Sequence, residues 1–265
     1  MPTVLIVGAT RGLGAELAKA YVSNVPQSRV YATARSSSPP ENSIIAENLV
    51  YVPGVDLENP DAGKIVLELL HKHSVSHIDI VIITAGYFAT ETLQEPSFSA
   101  QETMYRTCAI GPTILVAALA NDSETLLDSK SKVILVSSES GSITLRHEKE
   151  GGGNYGHHAS KAALNMCAKL LSLDLKERGV AVAAVHPGFM RTDMTKGVGF
   201  DKYWDIGGAV TPDVAAESLI EWIDTFDISK TGGYWAPRGA ARDIGTAEPV
   251  LGPKEKLPTP LRLPW

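Results

Sequence analysis

Residues 4–14 read Val4-Leu5-Ile6-Val7-Gly8-Ala9-Thr10-Arg11-Gly12-Leu13-Gly14. The unbroken apolar run has the character of a buried strand, and the glycines behind it open a helical pattern over 13–23. A glycine loop between a strand and a helix lets the backbone turn tightly. It also leaves the first N–H groups of the helix free, where their dipoles attract phosphate. Gly8, Thr10, Arg11, Gly12, Leu13 and Gly14 are therefore the candidates for holding the phosphates of a dinucleotide.

The same alternation runs outward from this loop. Valine- and isoleucine-rich runs at 30–34, 50–52, 78–83, 133–136 and 180–185, with a last one at 233–236, alternate with helical patterns over 61–73, 100–120, 159–177 and 212–225. Strands apolar on both sides suit a parallel sheet, and right-handed crossovers place helices over both of its faces. The expected fold is α/β: a single-domain Rossmann-type doubly wound parallel sheet of about seven strands with helices on both faces. It spans 1–245, and a proline-rich, irregular tail, 246–265, either folds back over the body or dangles.

The spacing Gly-x-x-x-Gly-x-Gly resembles that of the short-chain dehydrogenase/reductase family, and later segments extend the resemblance. Asp56-Leu57 follows the third strand, where the family holds adenine. Thr84-Ala85-Gly86 stands where it has an Asn-Ala-Gly turn. Ser137-Ser138, then Ala159-Ser160-Lys161-Ala162-Ala163-Leu164-Asn165, and finally Pro187-Gly188-Phe189-Met190-Arg191-Thr192-Asp193-Met194 follow in the family's order. Together they are similar to small carbonyl reductases related to the C-factor and sniffer proteins. The resemblance implies that Asp56, Leu57, Ala85, Gly86, Lys161, Pro187, Gly188 and Thr192 contact the cofactor. It also implies a homodimer formed through the fourth and fifth long helices.

Charge selects the cofactor. The second strand ends Tyr31-Ala32-Thr33-Ala34-Arg35, with no acidic residue to accept ribose hydroxyls. Arg35, with Arg11 in the glycine loop, would pair instead with a 2′-phosphate, so NADP(H) is expected.

In the family a tyrosine handles the proton, a lysine four residues later tunes it and grips the ribose, a serine orients the substrate oxygen, and an asparagine steadies a water relay. Ser138 and Lys161 match the serine and lysine. The tyrosine position is His157, and the asparagine position is Cys108. The nearby Lys161 ammonium disfavours the imidazolium, so His157 is expected to be neutral at pH 7 and to accept a proton more readily than donate one. Tyr155 is the other candidate. On a continuous helix 157 and 161 share a face and 155 does not. The run Gly151-Gly152-Gly153-Asn154 places the helix start near 157, leaving Tyr155 in a mobile loop, either reaching the pocket or forming its wall. The charged insertion 146–150 borders the site.

Composition narrows the alternatives. At 265 residues, 44% hydrophobic and 20% charged, the chain can bury one sizeable core. A net charge of −6 speaks against a nucleic-acid partner. No apolar run approaches the roughly 20 residues a membrane-crossing helix needs, and the N-terminus lacks the charged region of a signal peptide. Cys108 and Cys167 read as two reduced thiols of a cytoplasmic protein, and no metal-ligand spacing is present. The aromatic residues of 193–211, with Tyr87, Phe88 and Phe189, point to a fairly bulky apolar substrate. The leading reading is an NADP(H)-dependent oxidoreductase acting on a carbonyl or alcohol. The alternatives are a non-redox isomerase, dehydratase or cyclase of specialised metabolism, and a non-catalytic NADP(H)-binding regulator.

Overall fold

The computed structural model describes residues 2–25, 27–38, 40–41, 43–240 and 247–265. Each apolar run of the sequence forms a strand: β1 (Thr3–Val7), β2 (Arg29–Thr33), β3 (Leu49–Val52), β4 (Ile80–Ile83), β5 (Lys132–Val136), β6 (Ala181–Val185) and β7 (Gly233–Ala236). These are parallel, and a short β8 (Leu261–Arg262) adds antiparallel to β7, in the order β3-β2-β1-β4-β5-β6-β7-β8. The helices are α1 (Gly12–Asn24), α2 (Ala62–Lys72), α3 (Phe98–Tyr105), α4 (Gly111–Ala120), α5 (Tyr155–Asp174), α6 (Asp193–Gly197) and α7 (Pro212–Thr225), with a short helix at Ala247–Leu251.

Successive strand residues face opposite ways, which sorts the core into two layers. Leu5, Val7, Val81, Ile83 and Leu135 meet Leu70 of α2, Leu119 of α4 and Leu164 of α5. Val4, Ile6, Ile82 and Ile134 meet Leu17 and Tyr21 of α1 and Leu219 and Ile223 of α7. The strand order reverses between β1 and β4. The loops after those two strands part there and open a crevice at the carboxyl ends of the sheet.

The structure departs from the expectations in two places and decides between two alternatives in a third. The helix foreseen over 100–120 is α3 and α4 joined by a π turn at Arg106–Ile110. Pro112 explains the break: it has no N–H for the carbonyl four residues back, and its ring would crowd that carbonyl. By length and mean hydropathy (1.2) the span Phe98–Ala120 does reach what a membrane-crossing helix needs. It contains Glu102 and Arg106 and packs between α2 and α5, the place of a core helix.

The second departure is the start of α5, which lies at Tyr155 and not near 157. Asn154 takes a left-handed conformation (φ 49°), and the chain enters the helix directly after it. Tyr155 therefore begins the helix and does not sit in a loop.

The third is the tail. The boundary expected between 245 and 246 lies outside the described residues, and of the two alternatives for the tail residues 247–265 take the first, folding back over the body. Ala247, Leu261 and Leu263 are buried in the layer that holds α5. The tail contributes the eighth strand, which no apolar run in the sequence announces.

Candidate active site

Two adjoining hollows fill the crevice. The smaller is lined by Gly8, Thr10, Arg11, Arg35, Asp56, Leu57, Ala85 and Gly86, together with Thr107. Gly8 has φ +91°, and a Cβ there would come 2.7 Å from the Ala85 nitrogen, so only glycine lets β1 and β4 end this close together. A Cβ on Gly14 would run into the Gly8 carbonyl oxygen. The first turn of α1 has no side-chain cap and no acidic residue, which leaves its N–H groups free for an anion. Arg11 and Arg35 are both exposed at the rim. Leu13 is the exception among the loop candidates, because its side chain packs into the core with Leu17.

The larger hollow, about 650 Å³, is lined by Ser138, Tyr155, His157 and Lys161, by Gly86, Pro187, Gly188 and Thr192, and by Phe88, Phe189, Met194 and Phe200. Gly86 belongs to both hollows. Ser138 opens the turn that follows β5. Its Oγ accepts the N–H of Ser140 at 3.3 Å, which leaves its own hydrogen available. Lys161 is buried on α5 and donates from Nζ to the Val136 carbonyl at 2.9 Å. Its position one turn beyond His157 puts both on the cavity side of α5.

His157 stacks on Phe88 with ring centroids 4.1 Å apart, and His158 meets it edge-on at 5.4 Å. Its Nδ1 is buried and unpartnered. Burial pushes its pKa from 6.5 down to about 3, with the positive charge of Lys161 and then His158 and Arg146 acting the same way. Burial contributes most, ahead of the Lys161 charge that the sequence points to. At neutral pH the imidazole thus keeps one N–H donor and one bare nitrogen. It is no source of imidazolium, and a group protonated only near 3 is a weak base. Tyr155 is partly exposed at the cavity wall. Cys108 lines neither hollow. Its Sγ lies 3.5 Å from the Tyr87 nitrogen and 3.6 Å from the Tyr87 oxygen.

Beyond the expected charged insertion, Glu91, Gly156 and His186 shape the site without a sequence signal of their own. Buried Glu91 accepts hydrogen bonds from the Gly156 N–H (2.7 Å), the Ser97 N–H (3.0 Å) and Gln101 Nε2 (2.8 Å), pinning the start of α5 to that of α3. A Cβ on Gly156 would strike Met104, Gln101 and Glu91, so a glycine just ahead of His157 permits this approach. Arg146 bridges Glu139 (2.6 Å) and Glu150 (3.3 Å) at the cavity rim, which makes the charged insertion a wall of the site. His186 is buried, and its Nδ1 accepts the Glu139 N–H at 3.1 Å.

A family model described as short chain dehydrogenase matches residues 2–202. The chain belongs to the short-chain dehydrogenase family. An uncharacterized oxidoreductase of Saccharomyces cerevisiae is 31% identical over 236 residues, covering 83% of this chain and 88% of its own. Carbonyl reductase Sniffer of D. melanogaster superposes with a TM-score of 0.72 at 24% identity, over 89% of this chain and 96% of that one. The NADPH-bound carbonyl reductase from chicken fatty liver gives 0.74 at 24% identity, over 89% and 91%. The family resemblance read from the motifs therefore holds over most of the chain, and in fold it reaches the small carbonyl reductases. This short-chain dehydrogenase is an oxidoreductase by family.

Proposed function

We propose that the protein is an NADP(H)-dependent oxidoreductase that acts on a carbonyl or alcohol of a small to medium apolar molecule, with His157 in place of the usual tyrosine. The observation that carries this reading is the meeting of Ser138, His157 and Lys161 in one cavity that shares Gly86 with the groove rimmed by Arg11 and Arg35. The groove fits the cofactor: a glycine-lined floor, an uncapped helix N-terminus for the pyrophosphate, and exposed guanidinium groups for a 2′-phosphate. Asp56 and Leu57 would flank the adenine. Pro187, Gly188 and Thr192 lie on the side where a nicotinamide would rest.

When bound, the nicotinamide supplies or takes the hydride. Ser138 presents its hydroxyl hydrogen to the substrate oxygen and orients it. His157, neutral and held flat by Phe88, offers an imidazole N–H to the same oxygen and so stabilises the negative charge that builds there. It acts as a hydrogen-bond donor, and the proton completing an alcohol comes from solvent. Lys161 holds the ribose hydroxyls and keeps the local potential positive. Phe88, Phe189, Met194 and Phe200 form the apolar wall that receives the body of the substrate. A homodimer through the fourth and fifth long helices accords with the half-exposed apolar side chains of Ile110, Ile114, Met166, Leu170 and Leu173.

Titrating NADPH and NADH into the protein, then following nicotinamide oxidation with a panel of apolar aldehydes and ketones, tests the reading. Tighter binding of NADPH and its oxidation in step with alcohol formation are expected. Substrate conversion with no change in the nicotinamide would overturn it in favour of a non-redox isomerisation or dehydration.

A further inference from the structure

Three hydrogen bonds tie down the turn that carries Ser138. Glu139 donates its N–H to His186, and Asn165 Nδ2 donates to the Gly141 carbonyl at 3.2 Å. The third tie falls on Ser138 itself, whose carbonyl accepts the hydroxyl of Tyr234, a β7 residue. Tyr234 is fully buried and does not line the cavity, so it cannot touch a substrate. Its ring stacks on Trp265, with centroids 5.6 Å apart and planes 15° apart. Trp265 is fastened to the segment just after that turn, because its carbonyl accepts the N–H of Thr144 at 3.0 Å and the Thr144 hydroxyl at 2.7 Å. The tail thus closes a ring: Ser138 to Tyr234, Tyr234 to Trp265, Trp265 to Thr144, and back along the chain.

We propose that Tyr234, held in place by Trp265, is a positioning residue that sets the aim of the Ser138 hydroxyl. A hydrogen bond on its carbonyl fixes the Ser138 peptide plane, and with it the direction of the Cα–Cβ bond that carries Oγ. Burial, with the charge of Glu139 next, pushes the Tyr234 pKa well up, so the phenol keeps its hydrogen and donates across the working pH range. The proposal rests on the oxidoreductase reading of the cavity.

A double-mutant cycle on the intact protein tests it, with NADPH-dependent reduction of an activated aromatic ketone as the assay. Ser138→Ala should lower kcat on the order of 10²-fold, the usual effect of losing a donor to the substrate oxygen. Tyr234→Phe removes one hydroxyl and should lower kcat about 10-fold through misplacement, leaving the NADPH Kd unchanged. In the Ser138→Ala background the same Tyr234→Phe change should cost less than about twofold, because no hydroxyl is left to aim. Trp265→Ala should behave like Tyr234→Phe, and Trp265→Phe should recover most of the activity. An equal loss from Tyr234→Phe in both backgrounds would mean general structural support and overturn the proposal. So would an unaltered kcat in Tyr234→Phe when Ser138→Ala is impaired. Full turnover in Ser138→Ala would remove the reading of the cavity itself, and the proposal with it.

Discussion

His157 lies on the face of Phe88, ring centroids 4.1 Å apart and planes inclined by 30°. The contact holds the imidazole at a fixed tilt in the cavity, and burial keeps it uncharged down to about pH 3. Its role then differs from that of a titrating acid. His157→Ala should lower ketone reduction on the order of 10²-fold, as expected for loss of a hydrogen-bond donor to the developing alkoxide. The kcat profile should show no step from this residue between about pH 5 and 9, since the imidazole does not change charge there. A step near the pKa of free histidine that vanishes in His157→Ala would count against the donor role. His157→Tyr, combined with Phe88→Ala to open space for the larger ring, should raise the rate with simple activated ketones.

The same depressed pKa predicts a pH-dependent stability. The unfolded chain takes up a proton on this imidazole near 6.5, but the folded protein does so only near 3. Between these values the unfolded state binds more protons, so stability falls as pH falls, by up to about 1.4 kcal/mol per pH unit from this group. Denaturant unfolding of the wild type and His157→Gln at pH 7 and pH 5 measures it. The wild type should lose more stability on acidification than the variant.

Arg35 should decide between the two nicotinamide cofactors. Arg35→Ala is expected to weaken NADPH by ~1.5–3 kcal/mol, the range for charge-assisted hydrogen bonds, and to leave NADH nearly unchanged. Calorimetric titration of both cofactors reads the difference. An equal loss for both would place the arginine away from the 2′-phosphate.

Glu91 should link fold stability to the geometry of the site. Burial works to raise the pKa of its carboxyl group, but the hydrogen bonds from Ser97, Gln101 and Gly156 together hold it below the usual carboxylate value. A carboxylate of this kind stabilises the fold above the unfolded pKa, and that contribution is lost as pH falls through the folded one. Glu91→Gln keeps the size but leaves N–H groups without a full acceptor, so a loss of about 2–4 kcal/mol is expected in unfolding experiments. Turnover should fall as well, because the first turn of α5 carries His157.

How far this could be read beforehand follows the range of each signal. The glycine loop, the apolar strands, and Lys161 four residues after His157 are local patterns, and they appear in the structure where periodicity places them. The positions of Arg11 and Arg35 at the groove rim were legible because each sits at a fixed offset from a strand end. Glu91 was not, since its partner Gly156 lies 65 residues away and only the folded chain brings them together. The start of α5 was misplaced for the same reason: what fixes it is a distant carboxylate and one left-handed asparagine, while the glycine run argued for a longer loop. The π turn at Arg106–Ile110 hides within a good helical pattern, and Pro112 alone hinted at it. β8 spans only Leu261–Arg262, too short for alternation to show.

That eighth strand bears on the order in which the protein becomes competent during synthesis. Ser138 and the parallel strands through β7 all leave the ribosome before the segment that braces them. A nascent chain that has emerged only as far as β7 contains every parallel strand and every residue lining the groove, but its Tyr234 has no stacking partner and its Thr144 no acceptor in the tail. The ties on the serine turn are therefore the last part of the cavity's frame to be completed.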